Sequence, residues 1–200
     1  MSNFAKGRSV FVNKHVEGKK ILDIGCAGSN GFMHRNIIDN NKASTVVGLD
    51  NNLKNLTKLK GNRGELILAS AELLSFQDDS FDCVYLGELI EHFWSAERFL
   101  REIKRVLKIG GKMCLDSPNV YSLERILRFV LKGEDSLGDQ DHKIFYTPAS
   151  LSRLLQSMGF QMIEITSDGK IPFVRKEITI NFPPFKWLGS HLCLAARKIS

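Results

Sequence analysis

The most informative segment of the sequence is Ile21-Leu-Asp-Ile-Gly-Cys-Ala-Gly-Ser-Asn-Gly31. It is a short apolar run that passes through Asp23 into a glycine-rich turn, the pattern of a first β-strand leading into a helix. Glycine lets the backbone adopt left-handed conformations and approach a ligand closely. Taken alone, the segment is weak evidence for a ligand-binding site, because a turn with a purely structural role can have the same composition.

Two later strand ends strengthen the prediction of a nucleoside site. The apolar run that starts at Thr45 ends in Gly48-Leu-Asp50, and an acid at that end can accept hydrogen bonds from both ribose hydroxyls. The run that ends at Leu68 is followed by Ala69-Ser-Ala-Glu-Leu73, where a backbone N–H and a small polar side chain can contact an adenine edge. Parallel strands align their carboxyl ends, so we expect the three ends to meet at one pocket.

Short apolar runs alternate with helical patterns along the chain. The runs suit parallel strands buried on both faces, and they span residues 20–24, 45–49, 65–68, 81–86 and 112–116. The clearest helix covers 95–107, and another starts at Thr147-Pro148, where an N-cap residue precedes a first-turn proline. Two more strands are predicted over 160–166 and 191–196. The pattern predicts an α/β fold in which helices cover both faces of an open sheet.

As an ordered set, these motifs resemble the class I S-adenosylmethionine-dependent methyltransferases, and the resemblance covers nearly the whole chain. Beyond the three strand ends it rests on Phe81-Asp82, Gly87-Glu-Leu-Ile-Glu-His92, Leu107-Lys-Ile-Gly-Gly111 and Leu194-Ala-Ala-Arg-Lys198. The resemblance implies a three-layer Rossmann-like methyltransferase fold, with a seven-stranded, mostly parallel sheet whose last strand is antiparallel. It also implies S-adenosylmethionine as the cofactor and S-adenosylhomocysteine as the product.

The resemblance implies which residues hold the cofactor. Asp23 and Gly25 would face its methionine portion, Asp50 its ribose, and residues 70–72 its adenine. The full set of expected cofactor-binding residues is Asp23, Gly25, Cys26, Gly28, Asp50, Asn51, Ala71, Glu72, Leu86 and Gly87.

The turn departs from the family pattern Asp-x-Gly-x-Gly-x-Gly. Ala27 and Ser29 stand at the second and third glycine positions, with Gly28 and Gly31 nearby, so the register of the turn is open. An NAD-dependent oxidoreductase is the competing interpretation, but its Gly-x-Gly-x-x-Gly fingerprint is absent. The carboxylate of Asp23 would also repel a pyrophosphate, whereas it would attract a positively charged sulfonium.

Glu88, Glu91, His92 and His142 are the candidates for chemistry on the acceptor. A hydroxyl acceptor needs a base or a metal to remove its proton, and His92 and His142 are the expected catalytic residues. On a helix, residues 88, 91 and 92 would share one face. With the later His142, they resemble the divalent-metal site of ubiquinone-biosynthetic O-methyltransferases and small-RNA 2′-O-methyltransferases. The alternative is that they open a helix and support the site without a metal.

The remaining histidines lack acidic neighbours in sequence and are expected to be ordinary surface or cap residues: His15, His34 and His191.

The acceptor is predicted to be a small molecule, or a sugar-linked or lipid-linked molecule, methylated on oxygen. Within a single domain of residues 1–200, the segments 118–147 and 169–190 are expected to form the acceptor site or a lid. The helix predicted over 120–131 is both apolar and basic, which is typical of a lid, of a peripheral membrane contact, or of a helix packed on the sheet. An RNA methyltransferase is the alternative, although no RNA-binding module or aromatic clamp is evident. A nucleotide-binding protein without catalysis is a further interpretation.

Composition bounds the remaining possibilities. The 200 residues, 43% hydrophobic and 25% charged, are ordinary for one globular domain. No apolar run reaches the roughly 18 residues that span a bilayer, and no secretory signal is evident, so we expect a cytoplasmic protein without a transmembrane segment. The four cysteines lack Cys-x-x-Cys spacing, which argues against a zinc knuckle or redox dithiol. The net charge of +6 lies on basic ends around an acidic middle, unlike the continuous stripe of a general nucleic-acid binder.

Overall fold

The computed structural model of the protein describes residues 6–59, 61, 64–133, 141–168 and 187–200. Its seven strands are β1 (Lys20–Ile24), β2 (Thr45–Asp50), β3 (Glu65–Leu68), β4 (Phe81–Gly87), β5 (Leu107–Pro118), β6 (Phe160–Asp168) and β7 (His191–Lys198). They form one sheet in the order β3-β2-β1-β4-β5-β7-β6. The first five strands pair in parallel, and β7 runs antiparallel to both β5 and β6. This confirms the predicted seven-stranded, mostly parallel sheet with an antiparallel last strand.

The helices are α1 (Lys6–His15), α2 (Phe32–Asn40), α3 (Leu53–Thr57), α4 (Glu97–Val106), α5 (Leu123–Lys132) and α6 (Pro148–Ser157). Two short 3-10 helices, Gly28–Gly31 and Ile90–His92, follow β1 and β4. The apolar face of α4 is fully buried, as its spacing predicts. At the predicted start of α6, Thr147 and Ser150 form a capping box ahead of the N-terminal turn.

Apolar side chains cover both faces of the sheet. On β1, Leu22 and Ile24 point into a core shared with α4 and α6, whereas Ile21 points into a second core shared with α1 and α2. Both layers are buried, which explains why the central strands are apolar without alternation. The four cysteines are free and buried: Cys26, Cys83, Cys114 and Cys193.

Helix α1 was not predicted, because its sequence is largely polar. It contributes Phe11 and Val12 to the second core. In the described part of the chain, α5 has no fully buried side chain, while Leu123 and Leu127 are partly buried, so the three interpretations of the 120–131 segment stay predictions. Of the expected insertion 169–190, residues 169–186 lie outside the described part of the chain. Among the described residues, no helix is long and apolar enough to cross a membrane.

The prediction that three histidines are ordinary surface or cap residues is also wrong. All three are buried, and one ring nitrogen of each lies within hydrogen-bond distance of a carboxylate outside its own helix or strand. The pairs are His15 with Glu164 (2.9 Å), His34 with Asp23 (2.9 Å) and His191 with Glu88 (2.8 Å). The acidic partners are supplied by the tertiary fold and are absent from the local sequence.

Candidate active site

A cavity of about 1100 Å³ lies at the carboxyl ends of β1, β2 and β4. Ten residues singled out from the sequence line it: Asp23, Gly25, Cys26, Gly28, Asp50, Asn51, Gly87, Glu88, His92 and His142. The predicted residues that are not among its described lining are Ala71, Glu72, Leu86 and Glu91. The side chain of Leu86 is buried in the apolar core. Of the three strand ends predicted to meet at one pocket, those of β1 and β2 line the cavity, together with the end of β4, whereas the residues after β3 are not among its described lining.

The glycine-rich turn is anchored to the neighbouring strand. The Gly25 N–H donates to the carbonyl of Leu49 at 2.7 Å, which directs the chain sharply after β1. Gly25 has a φ of +79°, a left-handed conformation that favours glycine. The backbone at this position consequently lies open to the cavity without a Cβ.

The departure of the turn from the family pattern is accommodated by its backbone. Ala27 has a φ of −89°, so alanine is unstrained there. Left-handed conformations fall instead at Ser29, Asn30 and Gly31, with φ of 48°, 54° and 71°. Gly28 has no positive φ, and a Cβ on it would contact nothing within 4 Å. The turn needs glycine at positions 25 and 31, while Gly28 is not required by conformation or space.

Asp50 joins the end of β2 to this turn. Its Oδ2 accepts a hydrogen bond from the Ala27 N–H at 3.1 Å, and its Oδ1 accepts one from the Asn52 N–H at 2.9 Å. The carboxylate is only half-buried and lines the cavity. Each oxygen keeps a lone pair that can accept a hydrogen bond from a ligand hydroxyl.

Asp23 lies at the bottom of the cavity beside His34 of α2. The His34 Nδ1 is 2.9 Å from Asp23 Oδ2, and both side chains are almost completely buried. Burial raises the pKa of Asp23, and the hydrogen bond from His34 opposes that rise. The sequence predicted Asp23, but nothing local to α2 indicated its partner.

Arg8 of α1 organises a second group of charges on the cavity wall. Its guanidinium lies 3.0 Å from Glu88 and 3.3 Å from Asp116, whose other oxygen accepts from the Tyr85 hydroxyl. Burial opposes ionisation of Glu88, but the hydrogen bond from His191 and the charge of Arg8 prevail and lower its pKa to about 2. Glu88 has a φ of +47°, a strained conformation that these contacts hold in place.

Glu91, His92 and His142 form a compact cluster, in which the two histidines line the cavity and Glu91 is buried behind them. The Lys143 N–H donates to the Glu91 carbonyl at 2.8 Å, which brings His142 beside the 3-10 helix Ile90–His92. The rings of His92 and His142 have their centroids 4.9 Å apart, and His142 Nε2 is 3.9 Å from Glu91 Oε1.

The cluster contains buried polar atoms that have no hydrogen-bond partner among the described residues. They include Glu91 Oε1 and His142 Nδ1. The side chain of Glu91 is 0% exposed, and burial raises its pKa to about 8, against the hydrogen bond that Ser117 donates to Oε2. Such a carboxyl is suited to exchange a proton near neutral pH or to accept a cation.

The geometry of a metal site fits three of the four predicted ligands. One ligand atom from each of Glu91, His92 and His142 lies within 4.8 Å of the others, and mixed carboxylate and imidazole donors suit a divalent cation. The helix that would add Glu88 to the same face does not form, because the 3-10 helix starts only at Ile90. Glu88 instead faces Arg8 and His191.

Comparison with known proteins agrees with the fold. Residues 22–115 match the family model of a methyltransferase domain. The chain is similar to the ubiquinone biosynthesis O-methyltransferases of Coxiella burnetii (22% identity over 185 residues, 84% of this chain and 76% of that protein) and Agrobacterium fabrum (25% over 175 residues, 80% and 66%). The crystal structure of a SAM-dependent methyltransferase from Archaeoglobus fulgidus matches with a TM-score of 0.72 at 18% identity, over 97% of this chain and 93% of that one.

The chain therefore contains a methyltransferase domain and has the fold of the class I S-adenosylmethionine-dependent methyltransferases. It is an enzyme, and its cofactor is S-adenosylmethionine.

Proposed function

We propose that this enzyme transfers the methyl group to a hydroxyl oxygen of a small organic acceptor. The observation that carries the proposal is the Glu91–His142 pair, which has buried polar atoms without a hydrogen-bond partner among the described residues and which meets the cavity at His142. A hydroxyl is a weak nucleophile until it loses its proton, whereas a neutral amine needs no such group. The similarity to two ubiquinone biosynthesis O-methyltransferases supports methylation on oxygen.

The acidic side of the cavity is proposed to hold the cofactor. Asp50 accepts hydrogen bonds from the ribose hydroxyls, Asp23 faces the ammonium group of the methionine portion, and Gly25 allows the backbone to approach it. When bound, S-adenosylmethionine supplies a methyl group on a positively charged sulfur, which two nearby carboxylates attract. The enzyme adds orientation of the acceptor and exclusion of water, since an in-line displacement is sensitive to both.

The acceptor proton is proposed to pass to the Glu91–His142 pair. In the metal-free form, the imidazole takes the proton and Glu91 orients the ring. A divalent cation held by Glu91, His92 and His142 would supply Lewis-acid chemistry that acidifies a hydroxyl. The metal dependence of the activity distinguishes these two forms of the same proposal.

Calorimetric titration tests the cofactor residues. We expect S-adenosylmethionine and S-adenosylhomocysteine to bind the wild type, and Asp50→Ala to weaken both by at least tenfold, because two charge-assisted hydrogen bonds are lost. The exposed Asp78, which pairs with Arg105 on the surface, supplies the matched control Asp78→Ala. Saturation by NAD, with no binding of either sulfur ligand, would contradict the cofactor assignment.

Labelled-methyl transfer tests the acceptor chemistry. The enzyme and methyl-labelled cofactor are incubated with small-molecule, lipid and RNA fractions, and the products are classified as oxygen or nitrogen adducts. We expect oxygen adducts in the small-molecule fraction and a loss of about 100-fold or more with His142→Ala. His15→Ala, which removes a buried histidine paired with Glu164 outside the cavity, is the control. Activity lost on chelation and restored by a divalent cation indicates the metal form. Nitrogen adducts, or full activity of His142→Ala in every arm, would refute the proposal.

A lipid-linked acceptor is the second candidate, favoured by α5. The side chains of Phe129, Val130 and Leu131 are 62%, 69% and 75% exposed, and Arg128 and Lys132 lie on the same helix. Exposed apolar and basic residues on one helix suit an anionic membrane surface. We expect the enzyme to float with anionic liposomes and not with neutral ones. If the enzyme floats with neither kind of liposome, the lipid-linked acceptor is excluded and the water-soluble acceptor is the remaining candidate.

A further inference from the structure

The buried pair of Asp23 and His34 is not explained by packing alone. His34 is 1% exposed and Asp23 is 2% exposed, and a polar pair at such depth costs free energy unless its hydrogen bonds are satisfied. The Nδ1 of His34 lies 2.9 Å from Asp23 Oδ2, but its Nε2 is buried with no hydrogen-bond partner among the described residues. An apolar side chain would fill this position of α2 without that cost.

The surrounding backbone is shaped to admit the imidazole. Gly48 of β2 is the register partner of Asp23, and a Cβ on it would lie 2.7 Å from His34 Cε1. A side chain at Gly48 would displace the ring, so β2 leaves room for it at the point where it passes Asp23.

The contact determines how Asp23 faces the cavity. His34 occupies Oδ2, so a cation in the cavity would meet Oδ1, and the carboxylate cannot rotate without breaking a buried hydrogen bond. The hydrogen bond also favours the ionised carboxylate, because a donor to a buried anion replaces part of its lost hydration. Both effects prepare Asp23 to receive a positive charge.

Other titratable groups near the pair do not provide this donor. Asp50 at the end of β2 carries a like charge and raises the pKa of Asp23 further, after burial. Burial also raises the pKa of Cys26 in the turn and of Tyr85 on β4, so both stay neutral near neutral pH. Arg8 of α1 is paired with two other carboxylates. His34 is thus the hydrogen-bonding partner that the described residues offer to Asp23.

We infer that His34 is a positioning residue for cofactor binding, which holds the Asp23 carboxylate ionised and aimed at the ammonium group of the methionine portion. The inference rests on the placement of Asp23 in the proposed function. His34 of α2 therefore strengthens binding of the amino-acid portion of the cofactor and leaves binding of the nucleoside portion unchanged.

Two ligands that differ in the amino-acid portion test the role of His34. Calorimetry between pH 6 and 8.5 compares S-adenosylhomocysteine with 5′-methylthioadenosine, which has the nucleoside but no ammonium group. We expect His34→Leu to weaken S-adenosylhomocysteine roughly 10- to 100-fold, the value of a hydrogen bond to a charged group, and methylthioadenosine less than about threefold. His34→Asn, whose amide can donate from the Nδ1 position, should recover most of the affinity.

The pH profile separates positioning from simple packing. Loss of the donor raises the pKa of Asp23, so the affinity of His34→Leu for S-adenosylhomocysteine should rise with pH through a higher midpoint than in the wild type. His15→Leu, which removes another buried histidine, should leave the midpoint unchanged.

Three outcomes overturn the inference. Unchanged affinity of both His34 variants would do so, as would equal weakening of the two ligands or an unchanged pH midpoint in His34→Leu. These outcomes leave the proposed function intact, because the wild type still binds S-adenosylhomocysteine. If the wild type binds neither ligand, the proposed function fails as well.

Discussion

Replacing Glu91 by glutamine tests whether its buried carboxyl keeps its proton in the folded enzyme. Burial raises the pKa of Glu91 to about 8, from an ordinary value of 4.5. Glutamine has nearly the same shape, stays neutral at every pH and can still accept the hydrogen bond from Ser117. The substitution therefore removes the titration of this side chain and little else.

The sign of the effect follows from the two protonation states. Above pH 4.5 the unfolded chain releases the Glu91 proton, while the folded chain retains it up to about pH 8. The unfolded state binds fewer protons in this window, so the free energy of unfolding falls as the pH rises. Each tenfold change in acidity is worth about 1.4 kcal/mol, which gives a loss of roughly 4 kcal/mol between pH 5 and 8.5. Glu91→Gln avoids this loss.

Urea denaturation with a chelator present measures the difference. We expect the stability advantage of Glu91→Gln over the wild type to grow by about 4 kcal/mol from pH 5 to pH 8.5. Glu97, an exposed glutamate paired with Arg101 on α4, gives the control Glu97→Gln, whose difference should stay within about 1 kcal/mol at both pH values. An advantage that does not grow with pH would show that the folded enzyme holds Glu91 ionised, and would refute the assignment of a buried neutral carboxyl.

Two further substitutions probe the cavity walls through stability. Gly48→Ala places a Cβ 2.7 Å from His34 and should cost about 1–3 kcal/mol of unfolding free energy, whereas Gly28→Ala meets no atom within 4 Å and should cost less than about 1 kcal/mol. Arg8→Gln removes the positive charge that faces the buried Asp116 and leaves Glu88 with His191 alone, so it should cost about 3–5 kcal/mol. The exposed Arg35→Gln should cost less than about 1 kcal/mol. Thermal and urea denaturation measure both pairs, and equal losses within either pair would contradict the packing or the charge argument.

The strand ends that build the cofactor side were predictable because their signals are local. An apolar run followed by Gly25, or ending in Asp50, specifies both a strand and the residue presented at its end. The antiparallel last strand followed from the family resemblance. Parallel pairing of the strands then places their carboxyl ends together, independently of the conformation of the loops.

The electrostatic partners were not predictable, because each arises from a contact between distant segments. Arg8 reaches the cavity from a polar helix without a strong apolar pattern, and His34 meets Asp23 only after α2 folds back on β1. The spacing of Glu88 and Glu91 suggested one helix face, yet a positive φ at Glu88 turns its side chain toward Arg8 and away from the cluster. Helical spacing is informative only where a helix forms.

The two sides of the cavity consequently differ in charge, and the difference bears on the acceptor. Asp23 and Asp50 make one side acidic, which suits the ammonium and sulfonium of the cofactor. On the other side, Glu88 is compensated by Arg8, and Glu91 keeps its proton near neutral pH. An uncompensated carboxylate there would stabilise an amine in its protonated form, which has no lone pair to attack a methyl group. A near-neutral wall with an imidazole imposes no such penalty on a hydroxyl and offers it a proton acceptor, so the charge distribution favours oxygen over nitrogen as the methylated atom.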